Sequence, residues 1–224
     1  CLVFAWARFV EPQRIQVQET VLTGTRAQAR LVLISDIHLG VYKDRAYLQR
    51  LVDRINTLRA DAVVIAGDFT YEPGGEPLER MFAPLETLQK PVYAVLGNHD
   101  QQAPGPDIDA ELRAALATHG VQVIEGRTVT VRGFGVAGLG DRWVGKDDPG
   151  FLAAGPASGP TLVLAHNPDS AIALDPARVA LVLAGHTHGG QIRIPWLYRH
   201  AIPSQDGFDR GEQFLHTPHG RVRV

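Results

Sequence analysis

A chain of 224 residues, 45% of them hydrophobic, can bury one sizeable core, and a single domain is the default at that length. Its formal net charge of −2 argues against a nucleic-acid partner, which needs a basic face to meet phosphates. A lone cysteine, Cys1, excludes an internal disulfide.

The first ten residues, Cys1 to Val10, are apolar but too few to span a bilayer. They are expected to be either the remainder of a removed membrane segment or signal peptide, or an arm packed on the domain. Residues 1–29 are accordingly read as an apolar arm and lead-in, and residues 30–224 as one domain.

Leu31 to Ser35 is a continuous apolar run, as expected of a strand buried on both faces. Leu48, Leu51, Val52, Ile55 and Leu58 then recur at helical spacing. Ala62 to Ala66 is a second buried strand, and Leu78 to Leu88 a helix kinked by Pro84. Val92 to Leu96 is a third strand, followed by a helix over Ile108 to Thr118 that Gly120 closes. His119, at that helix end, is expected to meet the last carbonyls. Shorter strands follow at Val121 to Ile124, Thr128 to Val131 and Gly135 to Leu139. Leu162 to Ala165 and Ala180 to Ala184 are two more buried ones. The pattern predicts a layered α/β domain, central β-sheets flanked by helices.

Each buried strand runs, at its carboxyl side, into residues able to hold metal. These are Asp36-Ile37-His38, Gly67-Asp68, Gly97-Asn98-His99-Asp100, His166-Asn167 and Gly185-His186-Thr187-His188. Asp36 and Asp68 stand 32 positions apart, and Asp68 and Asn98 30, about one strand-helix-strand unit. All five strand ends are therefore expected on one edge of a sheet, where open α/β sheets bind ligands. Asp36 and His38 are two apart, so in extended backbone they share a side and can share an ion; His186 and His188 have the same relation. Taken singly, a histidine after a strand is an ordinary loop residue, and Asp68 or Asn98 an ordinary turn former. Five of the nine histidines gathering at these ends, beside aspartate and asparagine, is not what independent turns produce. A mixed nitrogen and oxygen set suits Mn, Fe or Zn better than Ca or Mg. His200, His216 and His219 have no ligand-like spacing and are read as surface residues.

The ordered series Asp-x-His, Gly-Asp, Gly-Asn-His-Asp, lone His and Gly-His-Thr-His resembles the calcineurin-like metallophosphoesterase superfamily, from about Leu31 to Ile194. The extension Gly189-Gly190-Gln191-Ile192-Arg193-Ile194-Pro195, with Glu11-Pro12 after the apolar start, resembles a narrower bacterial branch. That branch includes membrane-associated phosphodiesterases and a type of UDP-2,3-diacylglucosamine pyrophosphatase. The resemblance implies a metal site at the carboxyl ends of the strands that holds two divalent ions, Mn foremost. Asp36, His38 and His188 would hold the first ion and Asn98, His166 and His186 the second, with Asp68 bridging. His99 would act as general acid or stabilise phosphoryl charge, Asn98 and His99 would meet the substrate, and Asp100 would orient His99. Members of this branch continue past the position matching Val224, so the expectation is either that the chain is cut short there or that its ending differs, which puts part of the substrate wall in question.

The reaction implied is hydrolysis of a phosphodiester or pyrophosphate bond by metal-activated hydroxide, on a lipid-linked substrate such as UDP-2,3-diacylglucosamine. The alternatives are a soluble phosphodiesterase or phosphomonoesterase of small molecules or nucleotides, and a catalytically silent scaffold of the same fold. Phe69-Thr70-Tyr71 after Asp68 is unlike the Asp-Arg-Gly of protein Ser/Thr phosphatases. No protein partner is legible. Residues 195–203 place Trp196 and Tyr198 beside Arg199, a composition favoured at bilayer surfaces. The expected location is therefore the cytoplasmic membrane, peripheral or formerly anchored, and otherwise the cytoplasm.

Overall fold

The computed structural model describes residues 6–24, 28–101, 105–154, 161–190, 200 and 202–224. The first half carries β1 (Leu31–Ile34), β2 (Leu39–Gly40), α1 (Arg45–Asn56), β3 (Ala62–Ala66) and β4 (Thr70–Tyr71). It continues through α2 (Leu78–Phe82), β5 (Val92–Val95), α3 (Asp109–Thr118) and β6 (Val121–Val123). The second half carries β7 (Thr128–Val131), β8 (Phe134–Gly138), β9 (Thr161–Leu164) and β10 (Val179–Leu183). It ends in a hairpin of β11 (Phe214–Thr217) and β12 (Gly220–Arg223), which the sequence did not suggest.

Hydrogen bonding sorts the main strands into two sheets instead of the single expected edge. One sheet is parallel throughout, in the order β1-β3-β5-β6. The other runs β10-β9-β8-β7, parallel except for the β7–β8 hairpin. Alternation of side chains explains how they pack. Ala62, Val64 and Ala66 of β3 point between the sheets, where they meet Leu162, Leu164, Leu181 and Leu183. Val63 and Ile65 point the other way, onto the buried faces of the three helices. Across the molecule, Val163, Ala165 and Val182 face Ala171, Leu174 and Val222 of β12. The layers are thus helices, sheet, sheet, and an outer layer of turns and hairpin.

Local chemistry sets the helix limits. Asp44 caps α1 by accepting from the Tyr47 N–H at 2.8 Å, and Tyr47, Leu48, Leu51, Val52 and Ile55 form the buried stripe. α2 stops at Phe82, and Pro84 turns the rest of the expected helix into a 3₁₀ segment, Ala83–Thr87. Gly120 closes α3 at φ 77°, where a left-handed residue is needed. The His119 ring does not meet its own helix end, whose carbonyls its backbone N–H faces. Its Nε2 contacts the Glu79 carbonyl of α2 at 2.6 Å, joining two helices.

Ile15 and Leu22 of the lead-in rest against the core clusters. Ahead of it, Trp6–Val10 forms a short π-helical turn with Trp6 and Phe9 exposed. Among the described residues, no helix is long and apolar enough to cross a membrane.

Leu164 is wholly buried between the sheets. Leu164→Ala should cost about 2–5 kcal/mol in denaturant unfolding, because the facing sheet cannot collapse into the space left. A loss under about 1 kcal/mol would mean that the sheets do not press on each other there.

Candidate metal centre

Three strand ends of the first sheet and two of the second meet at one place. β1 delivers Asp36 and His38, β3 delivers Asp68, and β5 delivers Asn98 and His99. β9 delivers His166, and β10 delivers His186 and His188. The strand-end segments are zipped together by backbone bonds: Asp36 N to Gly67 O at 3.0 Å, His38 N to Asp68 O at 3.0 Å and Leu39 N to Phe69 O at 2.9 Å. The short β2–β4 pair continues that zip. The second sheet docks onto the first through the His186 N–H, which donates to Asp36 Oδ2 at 3.1 Å.

Backbone strain marks the place. Asp36, His38, Asp68, His186 and His188 all have φ between 50° and 69°, a left-handed region that non-glycine residues avoid. Among the described residues only Glu72 and Arg132 join them outside glycine, so the strain is concentrated at this site. The expectation that Asp36 and His38 share a side through extended backbone is therefore corrected. Two left-handed residues turn both side chains inward instead. His186 and His188 do not share a position at all.

His188 turns to the first cluster, where its Nε2 lies 3.2 Å from Asp36 Oδ1 and 3.1 Å from His38 Nε2. His38 Nε2 is 3.8 Å from Asp36 Oδ1 and 3.6 Å from Asp68 Oδ2. His186 turns to a second cluster, its Nδ1 3.1 Å from His166 Nε2. There His166 Nε2 lies 3.1 Å from Asn98 Oδ1 and 3.3 Å from Asp68 Oδ2. Asp68 Oδ2 is thus common to both clusters. Donor atoms of Asp36, His38, Asp68 and His188 all fall within 4.8 Å of one another.

The residues fit cations by their unmet needs. Asp36 Oδ1 is buried without a hydrogen-bond partner. His166 points Nδ1 at the Ala66 carbonyl, 2.7 Å away, which sets the tautomer that leaves Nε2 as an acceptor for a metal. Burial opposes charge on Asp36, yet the adjacent His188 ring and the nearby His166 hold its carboxyl well below the usual range. Burial drives His38 down to about 4, against the pull of Asp68, and His186 down to about 4, with His166 adding to the push. His166 goes the other way: Asp68 overcomes burial and raises it to about 10.

Two glycines permit the approach. A Cβ on Gly97 would sit 2.1 Å from Asp68 Oδ1, and one on Gly185 would sit 1.8 Å from Ser35 Oγ and 2.6 Å from Asp36 Oδ2.

His99 stands at the rim, partly exposed. Its N–H donates to Asp68 Oδ1 at 3.0 Å, and its ring Nε2 is 4.0 Å from Asp68 Oδ2. Asp100 is placed differently from expectation. Its buried carboxylate accepts from the backbone N–H groups of Phe69, Thr70 and Gly97 at 3.0–3.1 Å and from Thr70 Oγ1 at 2.9 Å. It clamps the loop after β3 to the loop after β5, and the bonds it makes do not reach the His99 ring.

Rings border the centre, and no sequence motif pointed to them. Tyr71 tilts against His99 at 4.7 Å and Tyr42 against Tyr71 at 5.2 Å, while Trp143 lies 5.7 Å from His186. A further acid, Asp141, was missed although Gly140-Asp141 after a buried strand repeats the pattern of Gly67-Asp68. His200, His216 and His219 are exposed, as expected. Cys1 to Ala5, and Trp196 and Tyr198 with most of the 195–203 segment, lie outside the described residues.

Residues 29–190 match the calcineurin-like phosphoesterase family. Phosphodiesterase YaeI of Escherichia coli (strain K12) is 26% identical over 97% of this chain and 85% of its own length. UDP-2,3-diacylglucosamine pyrophosphatase LpxG of Chlamydia trachomatis is 26% identical, over 87% of this chain and 75% of its own. A transmembrane protein with metallophosphoesterase domain from Danio rerio is 33% identical over 73% of this chain, which spans 41% of that protein. TT1561 of Thermus thermophilus, known from a crystal structure, shares the fold at a TM-score of 0.53 and 16% identity, over 88% of this chain and 89% of that one.

Because His166 is raised to about 10, it carries a proton at neutral pH, which it would have to release to serve as a ligand. If it does serve as one, apparent affinity for a divalent ion such as Mn should rise with pH between about 6 and 9, by up to ~10-fold per unit. Calorimetric titration in buffers of different ionisation enthalpy would show the proton leaving. A pH-independent affinity would contradict the assignment of His166.

Proposed function

The chain belongs to the calcineurin-like phosphoesterase family, and from that premise we propose a dinuclear hydrolase of a phosphodiester or pyrophosphate bond, acting on a lipid-linked substrate. Family membership makes it a metal-dependent phosphoric ester or phosphoanhydride hydrolase. In the finer reading, Asp36, His38 and His188 hold one ion and Asn98, His166 and His186 the other. The observation that carries it is Asp68 Oδ2, 3.6 Å from a histidine nitrogen of the first cluster and 3.3 Å from one of the second. The mixed nitrogen and oxygen donors favour Mn, with Fe or Zn as substitutes.

When bound, two such ions supply Lewis-acid charge for the phosphate oxygens and bring the pKa of a water down to as low as ~7. The chain's own residues do the rest. Asp100 holds two of the ligand-bearing loops in register, so Asp68 and Asn98 need no rearrangement to receive charge. The His186 N–H fixes Asp36 from the opposite sheet. Burial lowers the pKa of His99, which keeps its ring neutral near pH 7. A neutral imidazole still offers an N–H, so His99 acts as a donor to developing phosphoryl or leaving-group charge more than as a pre-protonated acid. Tyr71, tilted on its face, limits where that ring can swing.

A lipid-linked substrate is favoured by surface chemistry beside the site. Gln13 donates to the Tyr42 carbonyl at 3.4 Å, which sets the lead-in against the ring cluster. Just ahead of it stand exposed Trp6, Phe9 and Val10. Exposed rings of this kind partition to a headgroup layer, and we place the protein peripherally at a membrane surface.

Activity should vanish on chelation and return with Mn at least as well as with Mg. In a screen of aryl phosphodiesters, aryl phosphomonoesters, cyclic nucleotides and a UDP-linked lipid in vesicles, the UDP-linked lipid should turn over with the highest kcat/KM. A preference for soluble diesters instead would move the reading to a soluble phosphodiesterase.

Asp68→Ala should lose metal and activity together. His99→Ala should keep both ions and lose about 10²- to 10³-fold in kcat, roughly 3–4 kcal/mol of barrier. Loss of an ion from the His99 variant, read by metal analysis, would make His99 a ligand.

A further inference from the structure

The second cluster has a charge deficit. Asn98, His166 and His186 are neutral as ligands, and Asp68, its one carboxylate, is shared with the first cluster. One more acid lies beside it. β8 and β9 run parallel with Gly138 opposite Leu164, and the Leu139 N–H donates to Leu164 O at 2.9 Å. Asp141 therefore leaves its strand on the same edge as His166, one strand over.

Asp141 has no exposed surface. Its Oδ1 accepts from the Val144 N–H at 3.3 Å, while Oδ2 is buried without a hydrogen-bond partner. A buried carboxylate oxygen with nothing to accept is unfavourable unless a cation or a donor reaches it. Burial, in turn, raises this acid to about 6; the pull of His166 opposes that rise and Asp68 adds to it, so the carboxylate shares its field with two residues of the centre.

The turn that carries Asp141 is held from several sides. The Lys146 N–H returns to Asp141 O at 2.9 Å, Lys146 Nζ reaches Asp109 Oδ2 at 2.7 Å, and Arg142 pairs with Asp147 at 3.1 Å. Trp143 of the same turn lies against His186, a residue of the second cluster. The turn is anchored against that cluster with one acceptor unused.

We propose that Asp141 is a positioning residue of the second ion, its unpartnered carboxylate oxygen supplying, through one water, the negative charge that Asn98, His166 and His186 lack. This rests on the two-ion reading, and nothing in the family series of motifs includes it. Outer partners of this kind set how tightly a metal is kept, with losses of roughly 10- to 100-fold when they are removed.

The test is Asp141→Asn, which keeps shape and the Val144 bond but removes charge, with Mn binding followed by calorimetry and EPR. The wild type should bind two Mn ions. The variant should keep the first affinity and lose roughly 10- to 100-fold in the second. Its metal-free form should melt at or above the wild-type temperature, since an unpaired buried charge is gone, while its gain in melting temperature with saturating Mn should shrink. A merely structural role predicts the reverse, so a variant that unfolds or melts lower without metal overturns the proposal. Two Mn ions bound as tightly as in the wild type overturn it as well, leaving the dinuclear reading intact. A wild type that takes up no second Mn overturns the dinuclear reading itself, and this inference with it.

Discussion

The arrangement turns on one oxygen. Asp68 Oδ2 is nearly inaccessible and sits between histidines from different parts of the chain, 3.6 Å from His38 Nε2 and 3.3 Å from His166 Nε2. An ionised carboxylate in such a place is unfavourable on its own. The surroundings compensate: the positive His166 overrides burial and keeps the Asp68 carboxyl below its usual range, and the His99 N–H binds its other oxygen.

Holding it requires two sheets to close at their carboxyl edges with little tolerance. The closure is visible in contacts that a single methyl group would break, at Gly97 against Asp68 and at Gly185 against Ser35. It is visible too in the left-handed backbone of five ligand candidates, each costing of order 1–3 kcal/mol that the rest of the fold must offset. The offset comes from the apolar layer between the sheets and from polar clamps such as Asp100 with its four donors. An unmet buried donor would cost about 1–3 kcal/mol, so the clamp cannot loosen without penalty. Rigidity at the base of the site and strain at its tip are two sides of one design. Preorganised donors accept charge without reorganising, which is what phosphoryl chemistry asks of a protein.

The rim is less rigid in chemistry. Tyr42 and Tyr71 stand on one side and Trp143 on the other, while Lys43 places its ammonium 3.4 Å from the Asp36 carbonyl. The ligand candidates form the base of the centre, and these rings form its rim.

Much was legible from the residues in order. Apolar runs of four or five residues marked the buried strands within a residue or two, and the candidate ligands written directly after them were brought together. Strand identity and the polarity of its end are local properties, encoded within a dozen residues. Pairing is not local. Nothing within β8, β9 or β10 states that they form a second sheet facing the first, because that depends on hydrogen bonds between segments far apart in sequence. The same limit explains the rest. Asp36 with His38, and His186 apart from His188, follow from left-handed turns that the sheets impose on unwilling residues. Asp100 turned from the His99 ring to the loop after β3 because its donors are supplied by a segment about 30 positions away. The order of the candidate ligands was set by the sequence alone; which of them stand together was decided only where two sheets meet, since distance between side chains is a property of packing.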